Sequence, residues 1–243
     1  MKNKKILITG ATKGLGLECV KQFYKHNKIL AIGRDDKYIK RYKSKINFIK
    51  GNLLDEKFRK ELYAKLSKEK KIDVVIHCLG GGLGLREPLL DLTNFKKLFD
   101  INLGIGADIN RIIVKNLNKK SSYIVHVGST ASVEAIGSVG YNSIKTAIVS
   151  YVKSLASELI HKKIFVSSVL PGAFISSGNA FARLKKNNKE VYLNFIKNRL
   201  PRKRVSKASE IIPLIKLLAS ENGEMMAGTS VTIDACETKA YNY

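Results

Sequence analysis

Cysteine is scarce in this chain. Its three thiols, Cys19, Cys78 and Cys236, are too scattered for a disulfide-stapled secreted scaffold, and none falls in a CxxC or Cys/His spacing that would hold a structural zinc. No metal site is expected. Long apolar runs are missing too: Met1-Lys-Asn-Lys-Lys5 leads only into Ile6-Leu7-Ile8 before Thr9-Gly10 interrupts, too short for the apolar part of a signal peptide. Nothing approaches the roughly 18 apolar residues that cross a bilayer. Acid is the third shortage, since 20 Asp and Glu against 44 Lys and Arg leave a formal net charge of +24. No internal repeat, low-complexity linker or composition break divides the chain. The expectation is one soluble, cytoplasmic domain spanning 1–243. Its charge favours an acidic partner, whether nucleic acid, an anionic membrane surface, an acidic carrier or a phosphorylated ligand; charge alone does not choose among these.

What is present reads as a large α/β domain. The 243 residues, 44% of them hydrophobic, suffice for a core without staples. Short β-branched runs near 4–9, 28–33, 46–50, 72–78, 121–128, 163–170 and 229–234 predict seven strands. Segments of helical period near 14–26, 55–69, 94–117, 140–160, 178–197 and 208–219 alternate with them, the pattern of βαβ units around a parallel sheet. Strand cores such as Ile6-Leu7-Ile8 and Val74-Val75-Ile76 are apolar throughout, as in strands covered on both faces. Pro213, inside the last helical pattern, would remove a hydrogen bond if it lay deep in that helix.

The first strand runs into Thr9-Gly10-Ala11-Thr12-Lys13-Gly14-Leu15-Gly16 and then into the helical pattern Leu17, Val20, Phe23 and Tyr24. In this order Gly10 makes the tight turn, Gly14 lets backbone approach a pyrophosphate, and Gly16 allows helix and strand to pack closely, with the helix N-terminus facing the anion. The Thr-Gly-x3-Gly-x-Gly opening resembles the short-chain dehydrogenase/reductase family, whose members are single Rossmann-type domains of about this length. That resemblance implies a doubly wound parallel sheet with helices on both faces, and a nicotinamide dinucleotide as cofactor.

Further along, Ser129 follows the fifth strand in His126-Val127-Gly128-Ser129, and Tyr141-Asn-Ser-Ile-Lys145 comes twelve positions later. Tyr141 and Lys145, at i and i+4, share one helical face, and a strand-end serine points into the crevice where such sheets bind ligands. Reducing a ketone by hydride transfer leaves an alkoxide that must be protonated. A tyrosine is a poor base at neutral pH, but a neighbouring ammonium favours its phenolate, and a serine hydroxyl can donate to the developing oxyanion. In the resembled family the lysine also holds the nicotinamide ribose, and an asparagine of the preceding helix supports a water-mediated proton path; Asn102 matches it. The Ser-to-Tyr gap is one residue shorter than the family's, which keeps Ser132 as a second candidate.

The resemblance extends to Pro171-Gly172 after the sixth strand, with Ile175 and Ser176 beside the nicotinamide, and on through Gly228-Thr-Ser-Val-Thr-Ile-Asp234. It implies cofactor contacts from Gly10, Thr12, Lys13, Gly14, Leu15 and Gly16, from Arg34, Asn52 and Leu53, and from Gly80, Tyr141, Lys145, Pro171, Gly172 and Ile175. Where the family has Asn-Ala-Gly after strand four, this chain has His77-Cys78-Leu79-Gly80 and then Gly81-Gly82-Leu-Gly84. His77 reads as a structural residue in the asparagine's place, or else as a catalytic imidazole. Asn52 stands where many members place an adenine-contacting Asp.

Gly33-Arg34 at the end of strand two carries no acid to repel a 2′-phosphate, and Lys13 is a second cation, so NADP(H) is the expected cofactor; the competing reading pairs Arg34 with Asp35 and Asp36. The basic stretch from Arg183 to Arg204, within a substrate-covering insertion near 174–207, suits an anionic or carrier-linked substrate, or is a solvated lysine-rich surface. No nucleic-acid or membrane module is seen. The implied activity is interconversion of a carbonyl and a secondary alcohol, with 3-oxoacyl-carrier reduction as one substrate option and sugar or nucleotide-sugar chemistry in surface-glycan synthesis as another. A catalytically silent NADP-binding regulator is the alternative. A homotetramer or dimer is implied by the resemblance.

Overall fold

The structure, a computed structural model, describes residues 1–241. The strands among the described residues are β1 (Lys5–Thr9), β2 (Lys28–Gly33), β3 (Asn47–Lys50), β4 (Val74–His77), β5 (Ser122–Val127), β6 (Ile164–Pro171) and, after a two-stranded ribbon of β7 (Phe174–Ile175) and β8 (Ser206–Lys207), β9 (Ser230–Ile233). The main sheet runs β3-β2-β1-β4-β5-β6-β9 with every pairing parallel. Seven strands fall where the hydrophobic runs predict them. The ribbon was not legible, because two-residue strands carry no periodicity.

The chain leaves β1 for β2 on one side and reaches β4 on the other, so the crevice beyond the carboxyl ends of β1 and β4 is the switch point at which such sheets bind ligands. Side-chain alternation divides the core into two layers. Ile6, Ile8, Val74, Ile76 and Val125 pack with α1 (Gly14–Phe23), while Leu7, Val75, Ile124 and Val166 face the opposite layer of helices.

The opposite layer contains α2 (Glu56–Leu66), α3 (Leu92–Phe99), α4 (Ile105–Ile113) and α5 (Val139–Leu159). The helix expected over 94–117 is interrupted: residues Asp100–Gly104 form a π-helical turn between α3 and α4. The expected helix over 178–197 is also two, α6 (Ala180–Asn187) and α7 (Lys189–Arg199), because Asn188 leaves helical geometry and its side chain caps α7 by accepting from the Val191 N–H. Pro213 lies in the first turn of α8 (Ile212–Leu218), where its missing N–H forfeits no helix bond.

Candidate active site

At the end of β1 the chain turns at Gly10 with φ +64°, and a Cβ there would stand 2.8 Å from the carbonyl of Cys78 and the nitrogen of Leu79. A Cβ on Gly16 would in turn collide with the Gly10 carbonyl. Only glycine lets the start of α1 press so closely on the ends of β1 and β4. Helix α1 has Lys13 at its N-cap with no side-chain cap bond and no acid in its first turn, so its positive end lacks a counter-anion from the protein. A backbone cradle of this kind, at a helix start without a side-chain cap, fits a pyrophosphate. Thr12 and Leu15 are buried supports of the turn, Thr12 against Gly33 at the end of β2. The loop after β7 crosses the same turn: the Gly14 N–H donates to the Ser177 carbonyl at 3.1 Å, and the Ser176 hydroxyl donates to the Gly14 carbonyl at 3.1 Å. That strap had no sequence signal, since it joins residues about 160 positions apart.

At the far end of the cleft the charges are distributed differently from the expectation. Lys13 Nζ lies 2.6 Å from Asp35, and Asp36 is held by Lys43 at 2.6 Å and Lys50 at 3.7 Å. These lysines, Lys13 for Asp35 and Lys43 for Asp36, hold both carboxyls below their ordinary range. Lys13 is therefore not a free cation. The competing pairing of Arg34 with these aspartates is also absent, because the lysines have taken them; Arg34 is exposed and has no ion pair among the described residues. Asn52 is exposed and accepts from the Leu54 N–H at 3.3 Å in the turn that enters α2, while Leu53 is buried.

Ser129 sits directly after β5, its hydroxyl oxygen accepting from the Ala131 N–H at 3.1 Å, and it lies on the side of the loop that faces Tyr141, whose ionisation it eases. Tyr141 is in the first turn of α5 and Lys145 one turn on, with Nζ 5.6 Å from the tyrosine ring centre and donating to the Val127 carbonyl at 3.2 Å. Ser132 donates to the Lys145 carbonyl at 2.8 Å and so ties the loop to α5, which leaves the serine role to Ser129. A 3-10 turn over Thr130–Ser132 takes up the short spacing.

The electrostatics correct one expectation. Burial pushes the Tyr141 hydroxyl above its ordinary pKa, the Ser129 hydroxyl opposing this in part, so Lys145 does not bring the ligand-free tyrosine toward neutrality. Burial also lowers Lys145 to about 8. Removing a phenolate and an ammonium from water disfavours both charged forms, and burial is the first cause of each shift.

Asn102 explains the π turn. Its Nδ2 donates to the Leu98 carbonyl at 2.9 Å, four residues back, inserting a side chain where the helical ladder would close. The same amide clamps the glycine loop, accepting from the Gly81 N–H at 2.9 Å and donating to the Gly81 carbonyl at 3.0 Å. A Cβ on Gly80 would lie 2.8 Å from Asn102 Oδ1 and 3.3 Å from Lys145 Nζ. Asn102, Gly80, Lys145, Tyr141 and Ser129 thus converge, as the sequence predicts.

His77 does not join them. Its Nε2 is 2.9 Å from Asn110 Oδ1, its ring lies against that of His126 with centres 4.5 Å apart and planes tilted by 32°, and Asn110 Nδ2 reaches both His126 at 3.2 Å and the Tyr151 hydroxyl at 3.2 Å. Burial lowers His77 to about 4 and His126 well below its ordinary value, so both rings are neutral at pH 7. They form a polar brace between β4, β5, α4 and α5. The catalytic reading of His77 is set aside. His126, an imidazole inside an otherwise apolar strand, was the available signal for this network.

Pro171 ends β6, and Gly172 abuts Glu237, a buried carboxylate that accepts from the Ala173 N–H at 2.5 Å. Ile175 departs from its expected place: its side chain packs with Tyr192, Leu200 and Val205 in the small core of the insertion, because β7 is pinned to β8, and it is Ser176 that reaches the glycine turn. The basic insertion is less free than its composition suggests. Arg183 donates to the Gly178 carbonyl, Arg199 pairs with Glu134, and Arg202 and Arg204 pair with Glu210. No described helix is long and apolar enough to cross a membrane.

The model of the short chain dehydrogenase family matches residues 4–187. Carbonyl reductase [NADPH] 2 of Sus scrofa is 26% identical over 235 residues, covering 94% of each chain. The 3-oxoacyl-[acyl-carrier-protein] reductase of Buchnera aphidicola subsp. Schizaphis graminum is 27% identical over 245 residues, covering 96% of this chain and 97% of its own. Among solved structures, L-sorbose reductase of Gluconobacter frateurii, complexed with NADPH and L-sorbose, superposes with a TM-score of 0.87 over 99% of this chain and 98% of its own at 19% identity, a likeness of fold.

Proposed function

The chain belongs to the short chain dehydrogenase family, and from that premise we propose that it is an NADP(H)-dependent oxidoreductase interconverting a small-molecule carbonyl and a secondary alcohol. The observation that carries this reading is Ser129 gathered with Tyr141 and, one turn on, Lys145, set beside a glycine cradle whose helix start has no side-chain cap. Bound, the reduced nicotinamide supplies the hydride. Gly10, Gly14 and Gly16 hold its pyrophosphate, with Thr12 and Leu15 supporting that turn; Lys145 orients the ribose, and Gly80, Pro171 and Gly172 let it lie close to backbone. Ser129 donates to the carbonyl oxygen as negative charge develops there. Tyr141 gives that oxygen its proton.

Burial raises the Tyr141 hydroxyl above its ordinary pKa and keeps it protonated at neutral pH, which suits it to give a proton to the developing alkoxide. Arg34, left free when lysines take both neighbouring aspartates, meets the 2′-phosphate of NADP(H). The NADPH named for the porcine relative and for the sorbose reductase complex supports the same choice. The relatives are named for a carbonyl, a 3-oxoacyl-[acyl-carrier-protein] and L-sorbose, which supports a carbonyl as the group acted on. A homo-oligomer, tetramer or dimer, belongs to the same reading and is read out by light scattering.

The test is NADPH oxidation across ketoacyl thioesters, quinones and keto-sugars with wild type and Tyr141→Phe. Wild type turns over; Tyr141→Phe does not, while its NADPH affinity stays within a few-fold, because only the proton-transferring hydroxyl is lost. Tight NADPH binding with no turnover on any ketone would replace this reading with a silent binder.

A further inference from the structure

Strand β9 ends at Ile233, paired with Pro171 at the end of β6, and the residues after it turn back on the loop that leaves β6. Asp234 builds this hook. Its carboxylate accepts from the Cys236 N–H at 3.1 Å, the Thr238 N–H at 2.8 Å and the Thr238 hydroxyl at 2.7 Å, and its carbonyl accepts from the Glu237 N–H at 3.3 Å. Inside the hook Ala235 and Cys236 have φ of +55° and +64°, the left-handed region that residues with a side chain avoid. Two such residues in succession persist only where their surroundings over-determine them, and the Asp234 bonds do so.

The product of this folding is the placement of Glu237, a buried carboxylate that no step of the proposed reaction uses. It meets a need the main chain leaves open. The Gly172 N–H donates to the Ile233 carbonyl at 3.1 Å, where the sheet ends, and the Ala173 carbonyl accepts from the Ser206 N–H at 3.3 Å. Ala173 is buried, and its N–H is taken by the Glu237 carboxylate at 2.5 Å. Without that acceptor the amide would be left unpaired away from water. Gly172 gives the loop no slack, since a Cβ there would stand 2.7 Å from Asp234 Cβ. The same segment continues through β7 to Ser176 and Ser177, which strap Gly14. It is therefore anchored at one end by the hook and at the other by the glycine cradle.

We propose that Glu237 is a positioning residue for the nicotinamide half of the dinucleotide: its carboxylate fixes the Gly172–Ala173 peptide against which that half of the cofactor lies. The inference rests on the function proposed above, which sets Pro171 and Gly172 beside the cofactor. Glu237 acts through the peptide it holds and not on a reacting atom. The adenosine half belongs to the other side of the sheet, where β1 and β2 carry the glycine turn and Arg34, separated from β6 and β9 by β4 and β5. Loosening the hook is thus felt by one half of the cofactor and not by the other.

The experiment titrates the full chain with two probes, NADPH and 2′-phospho-ADP-ribose, which keeps the adenosine, 2′-phosphate and pyrophosphate and lacks the nicotinamide. Glu237→Ala should weaken NADPH about tenfold and leave the second probe within about twofold of wild type. Glu237→Gln, whose amide oxygen still accepts from the Ala173 N–H, should restore most of the NADPH affinity. Should Glu237→Ala fail to fold, Asp234→Ala releases the hook without emptying the space Glu237 fills, and gives the same split. Equal weakening of both probes would mean a general hold on the fold and overturn the proposal. NADPH affinity untouched by Glu237→Ala, or a Gln variant as weak as the Ala variant, would overturn it too. Hydrogen exchange at the Ala173 amide of the ligand-free protein, slow in wild type and Glu237→Gln and fast in Glu237→Ala, reads the bond without any cofactor. If wild type binds neither probe, it is the cofactor reading that fails, and the exchange still decides whether Glu237 holds the peptide.

Discussion

Lys145→Met should make this protein more stable at neutral pH while abolishing its activity. Lys145 is buried, with Nζ donating to the Val127 carbonyl, and burial lowers it from 10.5 to about 8. The gap of about 2.5 pH units, at about 1.36 kcal/mol each, puts the penalty for holding the ammonium in the folded protein on the order of 3 kcal/mol. Methionine has a similar length and no charge to bury. Leaving the Val127 carbonyl without its donor returns about 1 kcal/mol, so the net gain is on the order of 2 kcal/mol, or roughly 4–8 °C in melting temperature for a chain of this size.

Between pH 8 and 10.5 the unfolded chain binds the lysine proton that the folded chain has released, so wild-type stability rises with pH across that window. The advantage of methionine is therefore full below pH 8 and fades toward pH 10.5. Paired thermal and urea denaturation of the ligand-free proteins at pH 7 and pH 10 measures it. A Met variant that melts at or below wild type at pH 7, or a gain that does not change with pH, would refute the reasoning.

Other perturbations follow from the same geometry. Gly80→Ala places a methyl 2.8 Å from Asn102 Oδ1; displacing that clamp and Lys145 should lower kcat on the order of 100-fold, with a small change in melting temperature, and unaltered kinetics would show that the loop yields freely. Arg34→Ala should weaken NADPH roughly tenfold with NADH little changed in titrations of both; equal losses would remove the 2′-phosphate assignment. Because His77 sits at about 4 when folded and 6.5 when not, the unfolded chain binds more protons in that window and stability falls as pH drops through it. His77→Asn should make that acid loss shallower, with His126 retaining part of it; an unchanged acid slope would place the sensitivity elsewhere.

The sheet and the catalytic groups were readable for the same reason. Fully buried strands are apolar without interruption, so Ile6-Leu7-Ile8 and Val74-Val75-Ile76 declare themselves, and the glycine turn, Ser129, Tyr141 and Lys145 are local patterns attached to those strands. The family match over residues 4–187 agrees with them. Elements whose form depends on distant partners were not readable. A helical period over 94–117 conceals the π turn, because nothing local reveals that Asn102 spends its amide on Leu98 and Gly81. The break at Asn188 and the two-residue ribbon are similarly silent.

Determined by sequence alone, then, were the doubly wound order of elements and the residue types gathered at the candidate site, both set by short-range pattern. Tertiary structure decided their electrical state. Whether a cation is free depends on who stands beside it in space: Lys13 meets Asp35, Arg199 meets Glu134, and Arg34 is left open. Whether Tyr141 holds its proton depends on how much water the fold removes from it, and burial raises its pKa although a lysine stands one turn away.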